Sequence, residues 1–496
     1  MVFIKRIKKG SHVYLAEVKS VRKGGNVRHE FIRYVGKEVD NERILSGNIA
    51  SAKVTKVSIY GPLLALHELS SEIGLADILG EYAPEMLSLV YAHCIQPDSL
   101  TKITDWYERT DLNHLLDLSS LTEKKLLEAM DFYTPERRES IQKDIFNRLQ
   151  DTYQVKCNGI FYDLTDIYFY GKNCPLAVRG HNSQGLKYPQ MQVGLAVTSK
   201  EAFPIFHRCF PGNISDKKTV SEVMLACKEY NIADVTIAWD RGVTSALNVE
   251  DMKRINVNVI CGVPLSEKLK KIVDKHKNIE QITNRIQLTE TTFYAVSQPY
   301  RLGKTVGTLI ICHNLRMKET MRDERHRRIL EAKAERSAEN IPIPKHLKKY
   351  FLKNGLNQTA ISGAERYDGV SLVFSTKKLS AEEIIRTYFE KDKVEKAFKA
   401  LKGITCIRPI RHWLERRVKT HIFICYLSYL LLSVFDHKLK KAGEKISAVD
   451  ALQQLSTAYK IHIVDAKGSN SFEKTVAYTK EQEDILRAIN PALIKV

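Results

Sequence analysis

The stretch GIFYDLTDIYFY, residues 159–170, determines the predicted fold class of this 496-residue chain. Its aromatic and β-branched residues are typical of a buried strand, and QMQVGLAVTS (190–199) and FPIFHRCF (203–210) follow with a similar composition. Two aspartates, Asp163 and Asp166, interrupt the first strand. A carboxylate inside a buried strand is unfavourable unless it is paired or binds a metal ion. The stretch is therefore also a candidate functional site, for which the two aspartates compete.

The segments that follow alternate between helix and strand. DKKTVSEVMLACKEYN (216–231) and SALNVEDMKRIN (245–256) have helical patterns, whereas VTIAWD (235–240) and VNVICGV (257–263) are typical of short buried strands. Three strands followed by helix, strand, helix and strand are the succession of the ribonuclease-H-like fold. We therefore predict an α/β protein with a core of this kind.

Composition indicates a globular protein with a polyanionic partner. Hydrophobic residues make up 44% and charged residues 27% of the chain, and the formal net charge is +19. Such an excess of cations favours nucleic acid as the partner. Residues 1–37 alone contain ten Lys or Arg against two Asp or Glu. A small basic β module could bind phosphates there, although a merely solvated face is nearly as common.

Cysteine usage and hydropathy predict a soluble, cytosolic protein. The nine cysteines are scattered and form no CxxC pair, so we expect free thiols in a reducing compartment. The start of the chain lacks the apolar segment of a signal peptide. The longest apolar run, HIFICYLSYLLLSVF (421–435), is shorter than the roughly 20 residues that span a membrane. We interpret it as a buried helix and expect no membrane partner.

Residues 384–403, IIRTYFEKDKVEKAFKALKG, form the second informative stretch. Tyr388, Lys391, Glu395 and Lys402 have offsets of 0, 3, 7 and 14 residues. In one continuous helix of 3.6 residues per turn, these side chains share a stripe of roughly 60°. A stripe of this kind, taken alone, is more often a solvated face than a site.

Two strand aspartates and this helical glutamate could form a three-carboxylate cluster. Asp163 lies within the first strand, and Asp240 ends the strand VTIAWD immediately before Arg241. Asp240 could equally cap the turn that follows it. Together with Glu395, however, the two aspartates would suit Mg²⁺, which takes oxygen ligands. Two such ions about 3.5–4 Å apart can activate a nucleophile and stabilise the leaving oxygen of a phosphodiester.

The chain resembles the DDE transposases of prokaryotic insertion sequences, in the group that carries a Tyr-x2-Arg-x3-Glu-x6-Lys signature. Here the signature is Tyr388-x2-Lys391-x3-Glu395-x6-Lys402. Lys391 replaces the arginine, which keeps the charge but loses the bidentate fork. The other similar blocks, in chain order, are FYDLTDIYFYG (161–171), FPGNISDKKT (210–219), WDRGVTSALN (239–248), YDGVSLVFST (367–376) and RPIRHWLERRVKTHIFICYL (408–427).

This resemblance implies roles for particular residues. Asp163, Asp240 and Glu395 would be the catalytic acids and the ligands of Mg²⁺, for which Mn²⁺ can substitute. The residues that would bind DNA phosphates are Tyr388, Lys391, Lys402 and Arg241. The implied reaction is hydrolysis at the transposon end, followed by attack of the freed 3′-OH on target DNA. The implied partners are double-stranded DNA, both transposon ends and target, and a second copy in a synaptic dimer, in the nucleoid-associated part of the cytoplasm.

Two other functions fit the same residues. A domesticated DNA-binding protein without catalysis would be expected to have lost at least one of the three acids. A ribonuclease-H-like nuclease would cut DNA without strand transfer.

The predicted architecture is an α/β chain with an interrupted catalytic domain. A β-rich and helical insertion divides the ribonuclease-H-like domain, and a small basic β module and a helical N-terminal region precede it. The predicted regions are a basic β module (1–50), a helical DNA-binding or pairing region (51–150), the first part of the core (151–264), the inserted subdomain (265–365), the second part of the core with the catalytic and following helices (366–435) and a C-terminal helical region (436–496).

Overall fold

Strands and helices alternate along most of the chain in the computed structural model of the protein. The structure describes residues 2–494 except 11, 24–25, 40–41, 46–52, 156, 170, 172, 181–187, 233–234, 277–278, 289–290, 340–341 and 465–470. The strands within these residues are β1 (Val2–Lys9), β2 (His12–Lys23), β3 (Asn26–Val39), β4 (Glu42–Leu45), β5 (Lys53–Ile59), β6 (Gly159–Tyr168), β7 (Gln190–Thr198), β8 (Pro204–Pro211), β9 (Thr236–Trp239), β10 (Asn258–Gly262), β11 (Arg285–Gln287), β12 (Thr292–Leu302), β13 (Thr305–His313), β14 (Phe351–Leu352), β15 (Gly355–Leu356), β16 (Val370–Ser375), β17 (Tyr459–Val464) and β18 (Ser471–Thr475).

The helices cluster in two runs, one before β6 and one after β16, with others between the strands. They are α1 (Gly61–Glu72), α2 (Leu75–Leu79), α3 (Ala83–Ile95), α4 (Leu100–Tyr107), α5 (Leu112–Leu115), α6 (Glu123–Phe132), α7 (Pro135–Tyr153), α8 (Val220–Glu229), α9 (Ala246–Arg254), α10 (Glu267–Val273), α11 (Leu315–Glu339), α12 (Gln358–Glu365), α13 (Ala381–Phe389), α14 (Asp392–Gly403), α15 (Glu415–Ala442), α16 (Ala448–Leu455) and α17 (Lys480–Ile489).

The chain divides into two compact units. The smaller unit contains residues 1–65, 105–119 and 450–496, and the larger contains residues 66–104 and 120–449. In the smaller unit, β1 to β4 form an antiparallel sheet within the region predicted as a small basic β module. The smaller unit also contains a three-stranded sheet in the order β18-β17-β5. The prediction of a wholly helical region at 436–496 is therefore wrong, because β17 pairs with β5, a strand far away in sequence.

A nine-stranded mixed sheet forms the centre of the larger unit. Its order is β11-β12-β13-β16-β10-β9-β6-β7-β8. β6 pairs antiparallel with β7 and parallel with β9, and β9 pairs parallel with β10. Every residue of β7 and of β9 is buried, which explains why both strands are mainly apolar. The predicted strands and the helices between them are thus confirmed.

The predicted inserted subdomain at 265–365 contains a hairpin of β12 and β13, which is not part of a separate subdomain. β12 and β13 pair with each other, and β13 also pairs with β16, which joins the hairpin to the main sheet. The apolar run at the end of β13 is buried as a result. Residues 315–365 instead have a small hydrophobic core of their own, formed by Ile329, Ala332, Leu347, Tyr350 and Ile361.

The apolar run at 421–435 lies in α15, which is buried as predicted. α15 is the one helix in the described part of the chain with the length and composition to cross a membrane, and 94% of its most apolar window lies inside the protein. Tyr426 and Tyr429 donate hydrogen bonds to carbonyl oxygens of the loop before β8 and of β8 itself. The nine cysteines are free thiols, as expected.

The expected single helix over 384–403 is interrupted. α13 ends at Phe389 and α14 begins at Asp392. Between them the backbone makes tighter bonds to the third preceding residue, from Lys393 N to Glu390 O and from Val394 N to Lys391 O. The four residues 390–393 are all charged and offer no apolar side chain to bury, so contacts on either side determine the local geometry.

Candidate active site

Strand register brings two of the predicted acids together. Phe161 on β6 is paired with Ala238 on β9 in a parallel arrangement. Asp163 and Asp240 each follow two residues later, so they emerge at the same level of two neighbouring strands. Glu395 lies in the first turn of α14, which packs against β6 and β7. The sheet and the helix together position the three carboxylates.

The ammonium group of Lys391 lies among these carboxylates. Its Nζ is 3.2 Å from Oε1 of Glu395 and 3.9 Å from Oδ1 of Asp240. The Lys391 side chain is only 14% exposed, whereas those of Asp240 and Glu395 are each 46% exposed. Burial alone would lower the pKa of Lys391, but Asp240, Glu395 and Asp163 raise it above its ordinary value. Lys391 is therefore a firmly protonated cation inside an acidic cluster.

Asp163 is the most desolvated of the three acids. Its pKa is raised to about 7, mainly by burial and in part by the negative charges of Asp240 and Glu395, although a backbone hydrogen bond from Leu164 and the charge of Lys391 oppose the increase. Burial is the largest cause of this shift, and a carboxyl group perturbed by burial and by specific charges nearby is a candidate functional residue. A further positive charge close to the cluster would therefore stabilise its ionised carboxylates.

Tyr388 has a different contact from the one that its place in the signature predicts. The side chain is buried, and its hydroxyl donates a 2.9 Å hydrogen bond to Oδ1 of Asp240. Burial raises the pKa of Tyr388, and the charge of Asp240 raises it further, so the hydroxyl remains a donor. A Cβ atom at Gly262 would lie 2.4 Å from the same hydroxyl, so Gly262 leaves the space that the ring occupies. Sequence reasoning missed Gly262, for which the only signal is a glycine within an otherwise apolar strand.

Asp166 belongs to a separate polar group. Residues three apart in a strand project from opposite faces, which separates Asp166 from Asp163. The Nε2 atom of Gln192 lies 3.5 Å from Oδ1 of Asp166 and 3.3 Å from Oδ1 of Asp216. Gln190 also donates to Asp166. The sequence contains a signal for this group, since two glutamines occur in the otherwise apolar β7.

Lys402 and Arg241 flank the acidic cluster. Lys402 is half-buried in the last turn of α14. Burial and the neighbouring Arg408 lower its pKa, and the charges of Asp166 and Asp163 oppose this effect. Arg241 is exposed in the turn that follows Asp240. The structure therefore gathers Asp163, Asp240, Glu395, Lys391 and Tyr388 into one cluster, with Lys402 and Arg241 at its margin.

The carboxylates match a divalent cation in chemistry, although their present geometry is organised around an ammonium group. Oxygen ligands alone are the preference of Mg²⁺. Within the residues that the structure describes, no group of three or more His, Cys, Asp and Glu residues is placed to hold a metal ion. The Lys391 ammonium group contacts both Asp240 and Glu395 and thus lies where a cation shared by these acids would bind. The donor set therefore fits such an ion, provided that the Lys391 ammonium moves.

A cavity of about 260 Å³ lies elsewhere in the larger unit, between α3, α6 and the beginning of α15. Its lining includes His93, His421, Arg411 and Trp413, and none of the three acids. Trp413 is 65% exposed. The carboxylate cluster therefore lies outside this cavity.

Comparison with known proteins identifies one family. Residues 158–431, more than half of the chain, match the family described as transposase DDE domain. No curated protein sequence matches the chain. Among solved structures, the chain is similar to the piggyBac transposase in a synaptic complex with hairpin DNA, determined by cryo-electron microscopy. The two chains share 12% identity with a TM-score of 0.42, and the match covers 83% of this chain and 81% of that one.

Proposed function

The chain belongs to the transposase DDE domain family, and from this premise we propose that it cuts DNA at the ends of its own insertion sequence and joins the freed 3′ ends to new DNA. The observation that carries the proposal is the proximity of Asp163 and Asp240, on or beside the central strands β6 and β9 of the mixed sheet, to Glu395 on α14. Strands β8-β7-β6-β9-β10, which hold two of these acids, would be the ribonuclease-H-like core.

Each residue of the cluster has a proposed role. Asp163, Asp240 and Glu395 would hold Mg²⁺ or Mn²⁺. When bound, such ions supply Lewis-acid activation of water or a 3′-OH and stabilise the leaving oxygen. Tyr388 holds Asp240 in place through its hydrogen bond and is thus a positioning residue. Lys391, Lys402 and Arg241 would bind the phosphates on either side of the scissile bond, since phosphoryl transfer depends on positioning and electrostatic stabilisation.

The proposed partner is double-stranded DNA, both at the element's ends and at the target. The net charge of +19 supports this partner. Two copies of the chain would pair two ends in one complex, in the nucleoid-associated part of the cytoplasm.

The alternatives differ in what they require of the acids. A domesticated binding protein needs none of them, yet all three are present and close enough for Asp240 and Glu395 to affect the pKa of Asp163. A nuclease without strand transfer needs all three. Joining of a pre-cut end to a plasmid separates this second alternative from a transposase.

The test is cleavage of a duplex that carries the inverted repeat flanking the gene, in Mg²⁺. Glu395→Gln keeps the size of the side chain but removes the charge, so we expect cleavage to fall by at least about 10³-fold, while DNA binding in Ca²⁺ persists. Glu390→Gln is the matched control, because Glu390 is an exposed acid of the same segment that pairs only weakly with Lys393. Glu395→Gln protein that cleaves near the wild-type rate would contradict the proposed function.

A further inference from the structure

The position of Lys391 raises a question about how the cluster works. Its ammonium group occupies the space among three carboxylates that the proposed chemistry assigns to a divalent cation. The same residue corresponds to the signature position that implies a phosphate contact. One side chain cannot hold both places at once.

The carboxylates need a cation whether or not a metal ion is bound. Asp163 and Asp240 emerge at the same level of neighbouring strands, and Asp240 and Glu395 lie 3.9 Å and 3.2 Å from the same ammonium group. The other neighbours of the Lys391 ammonium add little positive charge. They are the ring of Tyr388, whose centroid is 5.5 Å from Nζ, and the carboxylates themselves. Lys391 is therefore the internal counter-charge of the cluster.

We propose that Lys391 is a resident counter-cation, which a divalent ion displaces from the carboxylates and thereby releases toward the phosphates of bound DNA. The inference rests on the proposed function and adds a form of regulation to its site. Its location favours such a movement, because Lys391 lies at the junction between α13 and α14 and not within a continuous helix. Its four-carbon stem is flexible, and an ammonium can leave without breaking the two parallel bonds that an arginine would make.

Displacement has a thermodynamic consequence. If metal binding frees the ammonium group for DNA, then DNA binding must strengthen metal binding by the same factor. The lysine at this position would thus prevent the acids from binding metal tightly when DNA is absent. A coupling of this kind has a typical size of about 5-fold to 150-fold.

The direct test is lysine footprinting of the wild-type protein with an amine-acylating reagent and mass spectrometry. We expect Lys391 to react slowly without metal, at least about fivefold faster with saturating Ca²⁺, and slowly again when duplex DNA is added to the Ca²⁺ form. Lys399, an exposed lysine of α14, is the internal control and should not respond to Ca²⁺. Lys391 reactivity that stays unchanged in the Ca²⁺-bound protein would overturn the inference.

A second measurement uses Lys391→Met, with Lys399→Met as the matched control. Mn²⁺ binding without DNA, followed by electron paramagnetic resonance, should become about tenfold tighter in Lys391→Met, because the competing cation is absent. Lys399→Met should bind Mn²⁺ like the wild type. Equal or weaker binding in a folded Lys391→Met protein would contradict displacement.

The two proposals fail in different ways. The wild type could bind Mn²⁺ and cleave DNA while Ca²⁺ leaves the acylation rate of Lys391 unchanged and Lys391→Met leaves the Mn²⁺ affinity unchanged. In that case, only the counter-cation role is wrong. If neither protein binds Mn²⁺, the metal-dependent function is wrong as well.

Discussion

The two largest sheets of the molecule use charge in opposite ways. In the sheet of β1 to β4, cations are spread over the surface, and all four cations of β1, Lys5, Arg6, Lys8 and Lys9, are exposed. In the nine-stranded sheet, Asp163 and Asp240 lie side by side in a half-buried cluster around one ammonium group. Exposed charges are screened by salt and attract any polyanion, whereas half-buried charges keep their strength and act at one place. Under the proposed function, the difference would separate attraction to DNA from chemistry on DNA.

Removing one clustered acid should have the largest effect. Asp240→Asn deletes the charge that both Tyr388 and Lys391 contact, so we expect cleavage of end DNA to fall by at least about 10³-fold. Asp163→Asn should behave in the same way. Asp166→Asn is the matched control, because it lies on the same strand but bonds to Gln192 instead, and we expect it to lose less than about tenfold. The measurement is single-turnover cleavage in Mg²⁺.

A loss with Asp166→Asn as large as with Asp163→Asn would remove the distinction between the two faces of β6. The acidic cluster would then have to include the group around Asp216.

Removing the spread charges should have the second-largest effect, and it should depend on salt. If Lys5, Arg6, Lys8 and Lys9 each contact one phosphate, their replacement by Gln should reduce the slope of log affinity against log salt by about 0.9 per residue. Between 50 and 200 mM salt, that change corresponds to roughly 10²-fold in affinity. Fluorescence anisotropy with end DNA measures the slope. Replacing the three lysines by Arg is the control and should leave the salt-dependence slope unchanged. An unchanged slope in the Gln variant would mean that these charges serve solubility and not DNA binding.

The sequence predicts the two sheets to different extents, for physical reasons. Alternation within β1 to β3 is local, so their strands were predictable, and the order of the aspartate blocks predicted that Asp163 and Asp240 would be neighbours. The contact between Tyr388 and Asp240 was not predictable, because it depends on the space left by Gly262 on β10. The pairing of β17 with β5 joins opposite ends of the chain, which no local pattern reports.

Tyr388→Phe should have an intermediate effect on the clustered site. The change removes one hydrogen bond to Asp240 but keeps the ring, so we expect cleavage to fall about tenfold, or about 1.4 kcal/mol of barrier. A positioning role also predicts weaker Mn²⁺ binding in the absence of DNA, which loss of a phosphate contact would not produce. Titration of Mn²⁺ into the free protein measures this. If Tyr388→Phe leaves the Mn²⁺ affinity unchanged but weakens DNA binding, Tyr388 would instead be a phosphate ligand.

The smallest expected effect concerns protein stability and comes from two acids in ion pairs, one from each unit. Asp131 on α6 accepts four hydrogen bonds, from Nε and Nη2 of Arg416 and from Nε and Nη2 of Arg417, at distances between 2.7 and 3.2 Å. In the sheet of β1 to β4, Glu17 has one 2.7 Å contact with Arg33. The acids are similarly exposed, at 29% for Asp131 and 28% for Glu17. Any difference in stability therefore reflects the pairing and not the exposure of the carboxylate.

Hydrogen bonds from Arg417 and Arg416 lower the pKa of Asp131 to about 2. Because the folded pKa lies below the unfolded value, the stabilisation is complete above about pH 4 and is lost as the pH falls through about 2. Allowing for solvent screening, we expect Asp131→Asn to reduce the free energy of opening at α15 by about 1 kcal/mol at pH 7, with most of this difference gone near pH 2 and the rest lost below it. Hydrogen exchange of the α15 amides measures this. Glu17→Gln should change the exchange of β2 amides by less than about 0.5 kcal/mol, because an exposed pair with a single contact contributes little. Equal losses for the two variants would mean that single and multiple ion pairs stabilise the two units to the same extent. The two sheets would then be distinguished by their proposed roles in DNA attraction and catalysis and not by their contribution to stability.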